Sequence, residues 1–521
     1  MTGDIFLQLY IIMINDDKEG KDIVFICLPP AQIKLPSLSF TVLKSYLKKK
    51  NISGSIYYSN LNYYNLLNII KKDDVNLLLP FIYIINKEIF KSESYSDKSK
   101  KYLEAKFPEI FMIEKSLSHD FFQDFINNIY QLINKEIDQI LQMSPKLIGF
   151  TSKFDQWISA IVFSHFIKKR KPDLPIVIGG WSNYNAAIAI YEITDLFDYS
   201  IWGEGEISLF ELYKLLNQND FSKLKDIPRL IFKDKNYKVI IPNVNQYSAK
   251  INFWDIAELE FDDYIESIKN NKYSIQYSIP IERSRGCNWN KCKFCFLTNG
   301  YKYQIKDNDL FLKNIQYIIE KYNICEFFIV DNDFIGKNIH EYKKLLHMLI
   351  NLRKKYSLFK ISFAEIITKN IDRETVSLMA EANIKLVQIG LEAISQNLLS
   401  KINKKQNVAE NIFFIRDELH FGITISGANI ITGFLDEIED DIFDFDSIDM
   451  LYFFRFFISN PNFKMNVVPL AISRNSIYYK QILRENKGKE WSINTYQSLF
   501  PRDIINKIDK FSLFAYANEK K

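Results

Sequence analysis

Three of the five cysteines in the chain, Cys287, Cys292 and Cys295, fall inside the segment RGCNWNKCKFCF at 285–296. An odd cysteine count with three of them clustered is a poor disulfide framework, so metal or redox chemistry comes first. Structural zinc almost always takes four protein ligands, and no fourth Cys or His stands nearby in sequence, although His340, His347 or Cys325 could approach in space. Three thiolates suit a [4Fe–4S] cluster better. They leave one iron open to a small-molecule ligand, whereas four cysteines close the cluster as an electron carrier. Zinc and coincidental core cysteines remain the bland alternatives. Cys27 and Cys325 sit in apolar strand patterns and read as buried packing.

A second set of candidates follows parallel strands. Gly179 and Gly180 end the run LPIVIGG, and Thr151 and Ser152 end KLIGFTS. Glycine at such a point lets the backbone approach a cofactor and turns amide N–H groups toward phosphate. The competing reading is a pair of tight turns between strand and helix. Glu204 and Glu206, in WGEGE, fit an ordinary helix start favoured by the helix dipole. The histidines are scattered, and none is assigned a catalytic role.

The elements that must position these residues alternate between strand and helix. DIVFICL, GSIYYSN, KLIGFTS, LPIVIGG and DYSIWGEGE are strand patterns, most of them followed by helical spacing, which predicts a parallel sheet with helices on both faces. A helical insertion at 62–142 divides the second strand from the third, and RLIFKDKNYKVII reads as a hairpin turned at Asp234-Lys235-Asn236. Strand–helix units resume at SIPIERS and continue through EFFIVDND, KISFAEIIT, KLVQIGLEA and ITISGANIITG, enough for a full or partial barrel. Its loops at the strands' carboxyl ends are where barrel proteins place chemistry, and the cysteines follow the first strand. The division expected is 20–240 for the first domain, 241–274 for a linker, 275–460 for the barrel and 461–521 for a C-terminal substrate-capping region.

A chain of 521 residues is too long for one ordinary core. With 67 basic and 63 acidic residues and no long block of like charge, it offers nucleic acid no footprint. The run FLQLYIIMI lacks the basic flank and cleavage site of a signal peptide, and no apolar run reaches the ~20 residues that cross a bilayer. The expectation is a cytoplasmic protein with no membrane partner.

The cysteine loop resembles that of radical S-adenosylmethionine enzymes, in which the open iron chelates the amino and carboxylate groups of that cofactor. Phe294 matches the aromatic before the last cysteine; the first spacing is one residue longer than the common CX3CX2C. PIERSRGC, CKFC, FFIVDNDF, ISFAEI, LVQIGLEAIS and IITGFLDE, with VFICLPPAQIKLPSLSFTVLKSYL, LIGFTS, LPIVIGGW and DYSIWGEGE upstream, are similar to the landmarks of B12-binding-domain radical enzymes. The nearest are those that mature ribosomally made peptides. The similarity implies a Rossmann-like cobalamin-binding domain, then a partial TIM-type barrel and a small cap. Thr151, Ser152, Gly179 and Gly180 would hold the nucleotide tail of cobalamin, without the DXHXXG motif that supplies a histidine to cobalt. Glu365 and Gln388 would hydrogen-bond S-adenosylmethionine, Gly433 would border its adenine, and Glu392 would be structural support. Leu435-Asp436-Glu437 stands where Pro-Gly-Glu is usual.

The resemblance therefore implies a cobalamin-dependent radical methyltransferase acting on an unactivated carbon of a peptide or small natural-product precursor. A reducing partner such as flavodoxin or ferredoxin would feed it electrons. Cyclisation, epimerisation or rearrangement, with or without cobalamin, is the second reading. A non-catalytic iron–sulfur binding or electron-transfer protein is the third.

Overall fold

The structure is a computed structural model that describes residues 20–67, 74–106, 121–242, 251–256, 258–270, 275–295, 302–434, 452, 454–474, 476–485, 497–508 and 514–517. FLQLYIIMI and Leu435-Asp436-Glu437 lie outside the described residues.

The first sheet is built on strands β1 (Ile23–Cys27), β2 (Gly54–Tyr58), β3 (Leu147–Thr151), β4 (Ile176–Trp181) and β5 (Tyr199–Trp202). They run parallel in the order β2-β1-β3-β4-β5. β1 and β3 are buried along their whole length. Their continuous apolar runs are what a parallel strand covered on both faces requires. On one face lie Ile133, Ile137 and Ile140 of the insertion helix Phe121–Gln142, with Trp157 and Ile161 of the helix Trp157–Arg170. On the other lie Phe40 and Leu47 of the helix Leu38–Lys48, with Leu209 and Leu212 of the helix Glu206–Gln218. An antiparallel hairpin, β6 (Leu230–Lys233) and β7 (Val239–Ile240), extends the edge beyond β5. Its turn closes through the Tyr237 amide on the Asp234 carbonyl at 2.9 Å. The strand order reverses between β1 and β3, so the ligand crevice of this sheet opens at their carboxyl ends.

The second sheet begins with β8 (Ile279–Ile281), followed by a short antiparallel pair, β9 (Ser284–Arg285) and β10 (Gln304–Ile305). It continues with β11 (Glu326–Ile329), β12 (Lys360–Ile366), β13 (Leu386–Glu392), β14 (Thr424–Thr432) and β15 (Phe463–Pro469). The order β15-β14-β13-β12-β11-β8 is parallel throughout, an open barrel of six strands. Alternate residues such as Ile361, Val387, Ile389 and Ile425 are buried in the core shared with the surrounding helices. Glu365, Gln388 and Glu392 occupy the intervening, half-buried positions.

The C-terminal region departs from the cap expected at 461–521. Phe463–Pro469 is the sixth barrel strand, beyond the expected limit at 460. Leu470, Ile472 and Tyr478 then pack over the barrel end with Phe434. Leu499, Phe500, Ile504 and Ile508 next enter the core of the first domain against the insertion, and Phe514–Ala517 then pairs antiparallel with Ala471–Ser473. Phe500 stacks on Trp157 at 6.3 Å between ring centroids, and Asn86 Nδ2 donates to the Leu499 carbonyl at 2.8 Å. Burial of those apolar side chains, not capping, fixes this segment.

The expected linker is also partly structured. Phe253, Ile256, Leu259 and Phe261 belong to the barrel core, and the helix Asp262–Lys269 sets Tyr264 against Tyr58 of β2 at 5.2 Å.

Candidate active site

The cysteine loop is held from three sides. Ahead of it, the Arg283 amide and the Ser284 hydroxyl each donate to the Asp331 carboxyl at 2.7 Å, tying the end of β8 to the loop after β11. Asn288 donates to Asp333 and accepts from Lys405 Nζ at 2.8 Å. Trp289 Nε1 donates to the Asn403 carbonyl at 2.8 Å, and the Lys293 amide to the Ile402 carbonyl at 3.1 Å. The Tyr478 amide closes the third side on the Lys293 carbonyl at 3.0 Å. Phe294 packs against Phe434 with centroids 5.6 Å apart, so the aromatic before the last cysteine anchors the loop to the barrel rim. Burial pushes Asp331 up to about 7 and Asp333 up to about 6, against the hydrogen bonds they accept.

Cys287, Cys292 and Cys295 are each half-buried on this loop. Burial pushes the Cys292 thiol up to about 12, with Lys404 pulling the other way. Lys404 is paired with Glu392 at 2.7 Å, and Glu392 holds a left-handed backbone (φ 62°) at the end of β13. His340 and His347 lie on the helix Ile339–Lys355, and Cys325 immediately precedes β11. Among the described residues no group of three or more His, Cys, Asp and Glu side chains is gathered as a metal-holding set.

Glu365 and Gln388 are register partners across β12 and β13. Gln388 also faces Gly427 of β14, where a Cβ would come within 3.4 Å of its side chain. Burial raises the Glu365 carboxyl above the usual range; Lys404 opposes this and Glu392 adds to it. Gly433 follows β14 with φ 81°, beside Phe434.

A cavity of 690 Å³ lies between the two sheets. Its first wall is the crevice: Gly149, Thr151, Gly179 and Gly180, with Cys27 at the end of β1. Ser152 stands behind this wall, its amide tying β3 to β4 through the Gly179 carbonyl at 2.8 Å. Gly180 has φ 84°, and a Cβ there would lie 2.5 Å from Thr151 Oγ1, so glycine is required for this close turn. The second wall is the barrel's: Glu282, Arg285, Gly286, Phe328 and Val330. The cysteine loop thus starts at the cavity edge, two residues after Arg285.

Arg285 joins the walls. It donates to Glu282 at 2.9 and 2.8 Å within its own domain and to Glu206 at 2.6 Å across the cavity, with Glu204 at 3.5 Å. Burial works to lower this guanidinium, but Glu282 and Glu206 outweigh it and hold it well above the ordinary range. Arg285 is not singled out by the sequence; Glu204 and Glu206 read there as a helix start, in a loop that the resemblance places toward the domain interface. Asp331 and Asp333 were visible as acids directly after a barrel strand, a signal left unused.

A family model of the radical SAM superfamily matches residues 281–446. The anaerobic magnesium-protoporphyrin IX monomethyl ester cyclase of Rubrivivax gelatinosus is 22% identical over 281 residues. That match covers 53% of this chain and 48% of the relative, so the chain spans about half the length of the curated relative it matches. Among solved structures, the radical S-adenosylmethionine methyltransferase TsrM of Kitasatospora setae, with tryptophan and a cofactor analogue bound, aligns at a TM-score of 0.61 and 14% identity. This alignment covers 91% of this chain and 78% of TsrM. The cobalamin-dependent S-adenosylmethionine radical enzyme OxsB, with aqua-cobalamin bound, aligns at 0.62 and 17% identity, over 98% of this chain and 65% of OxsB. At these identities the structural likeness is one of fold.

Proposed function

We propose, from a chain that carries a radical SAM domain over residues 281–446, that the protein is a cobalamin-dependent radical enzyme which methylates an unactivated carbon of a peptide natural-product precursor. The observation that carries the reading is the 690 Å³ cavity, walled on one side by the glycine crevice and on the other by the segment leading into the cysteines.

By donor type and spacing the residues fit the groups required, although among the described residues the three thiols are not gathered as a metal-holding set. Cys287, Cys292 and Cys295 would hold the [4Fe–4S] cluster; three thiolates leave one iron for S-adenosylmethionine. Glu365, Gln388 and Gly433 would hold that cofactor, with Phe294 fixing the loop beside it. Thr151, Gly179 and Gly180 would hold cobalamin, with Ser152 bracing them. The Gly180 turn, closed against Thr151 and Lys153, leaves this wall without a side chain at that position. When bound, these groups supply a hydrogen-abstracting radical and a transferable methyl group. The chain's own work is to position them and exclude water: Phe328 and Val330 line the barrel side, and Arg285 clamps the two walls. Electrons would come from a flavodoxin or ferredoxin in the cytoplasm. The folds of TsrM, which has also been solved with cobalamin and a [4Fe–4S] cluster bound, and of OxsB support the cobalamin reading. The cyclase relative supports the alternative, ring closure through the same radical without methyl transfer.

The test is anaerobic turnover of reconstituted protein with deuteriomethyl S-adenosylmethionine and a peptide library, read by mass. Methylation predicts a deuteriomethyl gain on peptide with S-adenosylhomocysteine and 5′-deoxyadenosine both released. Peptide losing hydrogen without label, with deoxyadenosine alone, would move the assignment to the cyclase reading. Absence of deoxyadenosine would overturn both.

A further inference from the structure

Among the described residues, the crevice carries a cation with no acidic partner. Lys153 follows β3 and lines the cavity beside Thr151 and Gly180. Its backbone is fixed on both flanks of the switch point. The Lys153 amide donates to Thr151 Oγ1 at 3.3 Å, and its carbonyl accepts from Gln156 Nε2 at 3.1 Å. Gln156 Oε1 in turn accepts from the Leu28 amide just past β1 at 3.1 Å. The two following residues, Phe154 and Asp155, both hold left-handed backbone at φ 55° and 59°, and Phe154 also lines the cavity. Lys153 Cγ lies only 3.2 Å from where a Cβ on Gly180 would stand, so the stem runs against the glycine turn.

The other cations of this cavity region have partners. Arg285 meets Glu282 and Glu206, and Arg229 lies 3.9 Å from Glu204. For Lys153, desolvation pushes the ammonium below the ordinary range, and among the described residues no acid raises it again. Lys153 is nonetheless exposed to the open cavity, so its ammonium is hydrated there and can exchange water for an anion that a ligand brings.

We propose that Lys153 is an anion-binding residue of this crevice, and that its anion is the phosphodiester in the nucleotide arm of cobalamin. The proposal rests on the cobalamin reading above. The amide side chains of the corrin are neutral, and the phosphodiester is the fixed negative charge of the molecule. A charge-assisted hydrogen bond from Lys153 would therefore select cobalamin over corrins that lack the arm.

The experiment compares equilibrium binding of hydroxocobalamin and of cobinamide, the same corrin without nucleotide or phosphodiester, to iron-reconstituted protein and its Lys153→Met and Lys153→Arg variants. Loss of the charge is expected to weaken cobalamin binding about tenfold or more and to leave cobinamide binding unchanged. Lys153→Arg should restore most of the cobalamin affinity. Added salt should erode the preference of the wild type and not that of Lys153→Met. Equal weakening of both corrins would make Lys153 a structural residue, and no weakening of either would remove the contact; each overturns the proposal while leaving the cobalamin reading intact. Wild-type protein that binds neither corrin overturns both. Unchanged iron content and circular dichroism show that a variant is folded.

Discussion

Arg285 is the side chain by which the segment ahead of Cys287 grips the first domain, and it does so among three nearly buried carboxylates, Glu204, Glu206 and Glu282. Removing the cation leaves those acids to face one another in a partly dry space. Arg285→Met is therefore expected to cost about 3–5 kcal/mol of stability. Arg285→Lys keeps the charge but loses the fork that spans Glu282 and Glu206, and should cost less. Denaturant unfolding of the two variants checks this; Arg285→Met with unchanged stability would show that the clamp carries no energy. The role of Arg285 was not legible in the sequence, because its partners Glu206 and Glu204 lie 79 and 81 residues upstream. The cysteines were legible because their spacing is local. Lys153 stands between: its place after a strand could be read, but its lack of an acidic partner among the described residues is a property of the folded crevice.

At the scale of elements, the parallel strands could be read because burial on both faces leaves a continuous apolar run, as in β1 and β3. β15 could not, because it is an edge strand with Lys464, Val467 and Val468 exposed, and its pattern gives no alternation to follow. The segment around Arg502–Ile508 announces an amphipathic helix without saying which surface it will cover. The insertion helix Phe121–Gln142 carries a further consequence of packing. Its Glu136 is buried and accepts from Ser59 Oγ at 2.7 Å and Asn62 Nδ2 at 2.6 Å, and burial pushes its carboxyl up to about 8 against those bonds. The folded chain thus keeps this proton up to about pH 8, whereas the unfolded chain releases it near 4.5. Between these values the unfolded state binds fewer protons, so stability falls as pH rises, by roughly 1.4 kcal/mol per pH unit from this group. Glu136→Gln should abolish that slope in unfolding measured from acid to alkaline pH. A slope retained in the variant would assign it to other groups.

At the scale of the whole molecule, two parallel sheets turn their carboxyl ends toward one cavity. The helix Leu38–Lys48 is shared between them: Phe40 and Leu47 pack on the first sheet, while Val42 and Tyr46 enter the barrel core. Lys48 pairs with Glu260 at 2.6 Å, Lys44 pairs with Asp263, and Tyr264 donates to the Ile33 carbonyl at 2.5 Å. No helix among the described residues is long and apolar enough to cross a membrane. Both sheets could be anticipated from their strand runs; their mutual placement could not, since it depends on these few contacts between distant segments. The claim that the chain holds two cofactors is tested most directly by loading. The protein is reconstituted anaerobically with iron, sulfide and hydroxocobalamin, desalted, and assayed for both metals. The account predicts about four irons and one cobalt per chain, with iron lost and cobalt kept in the Cys287→Ala, Cys292→Ala, Cys295→Ala triple variant. Iron retained without cobalt would contradict it.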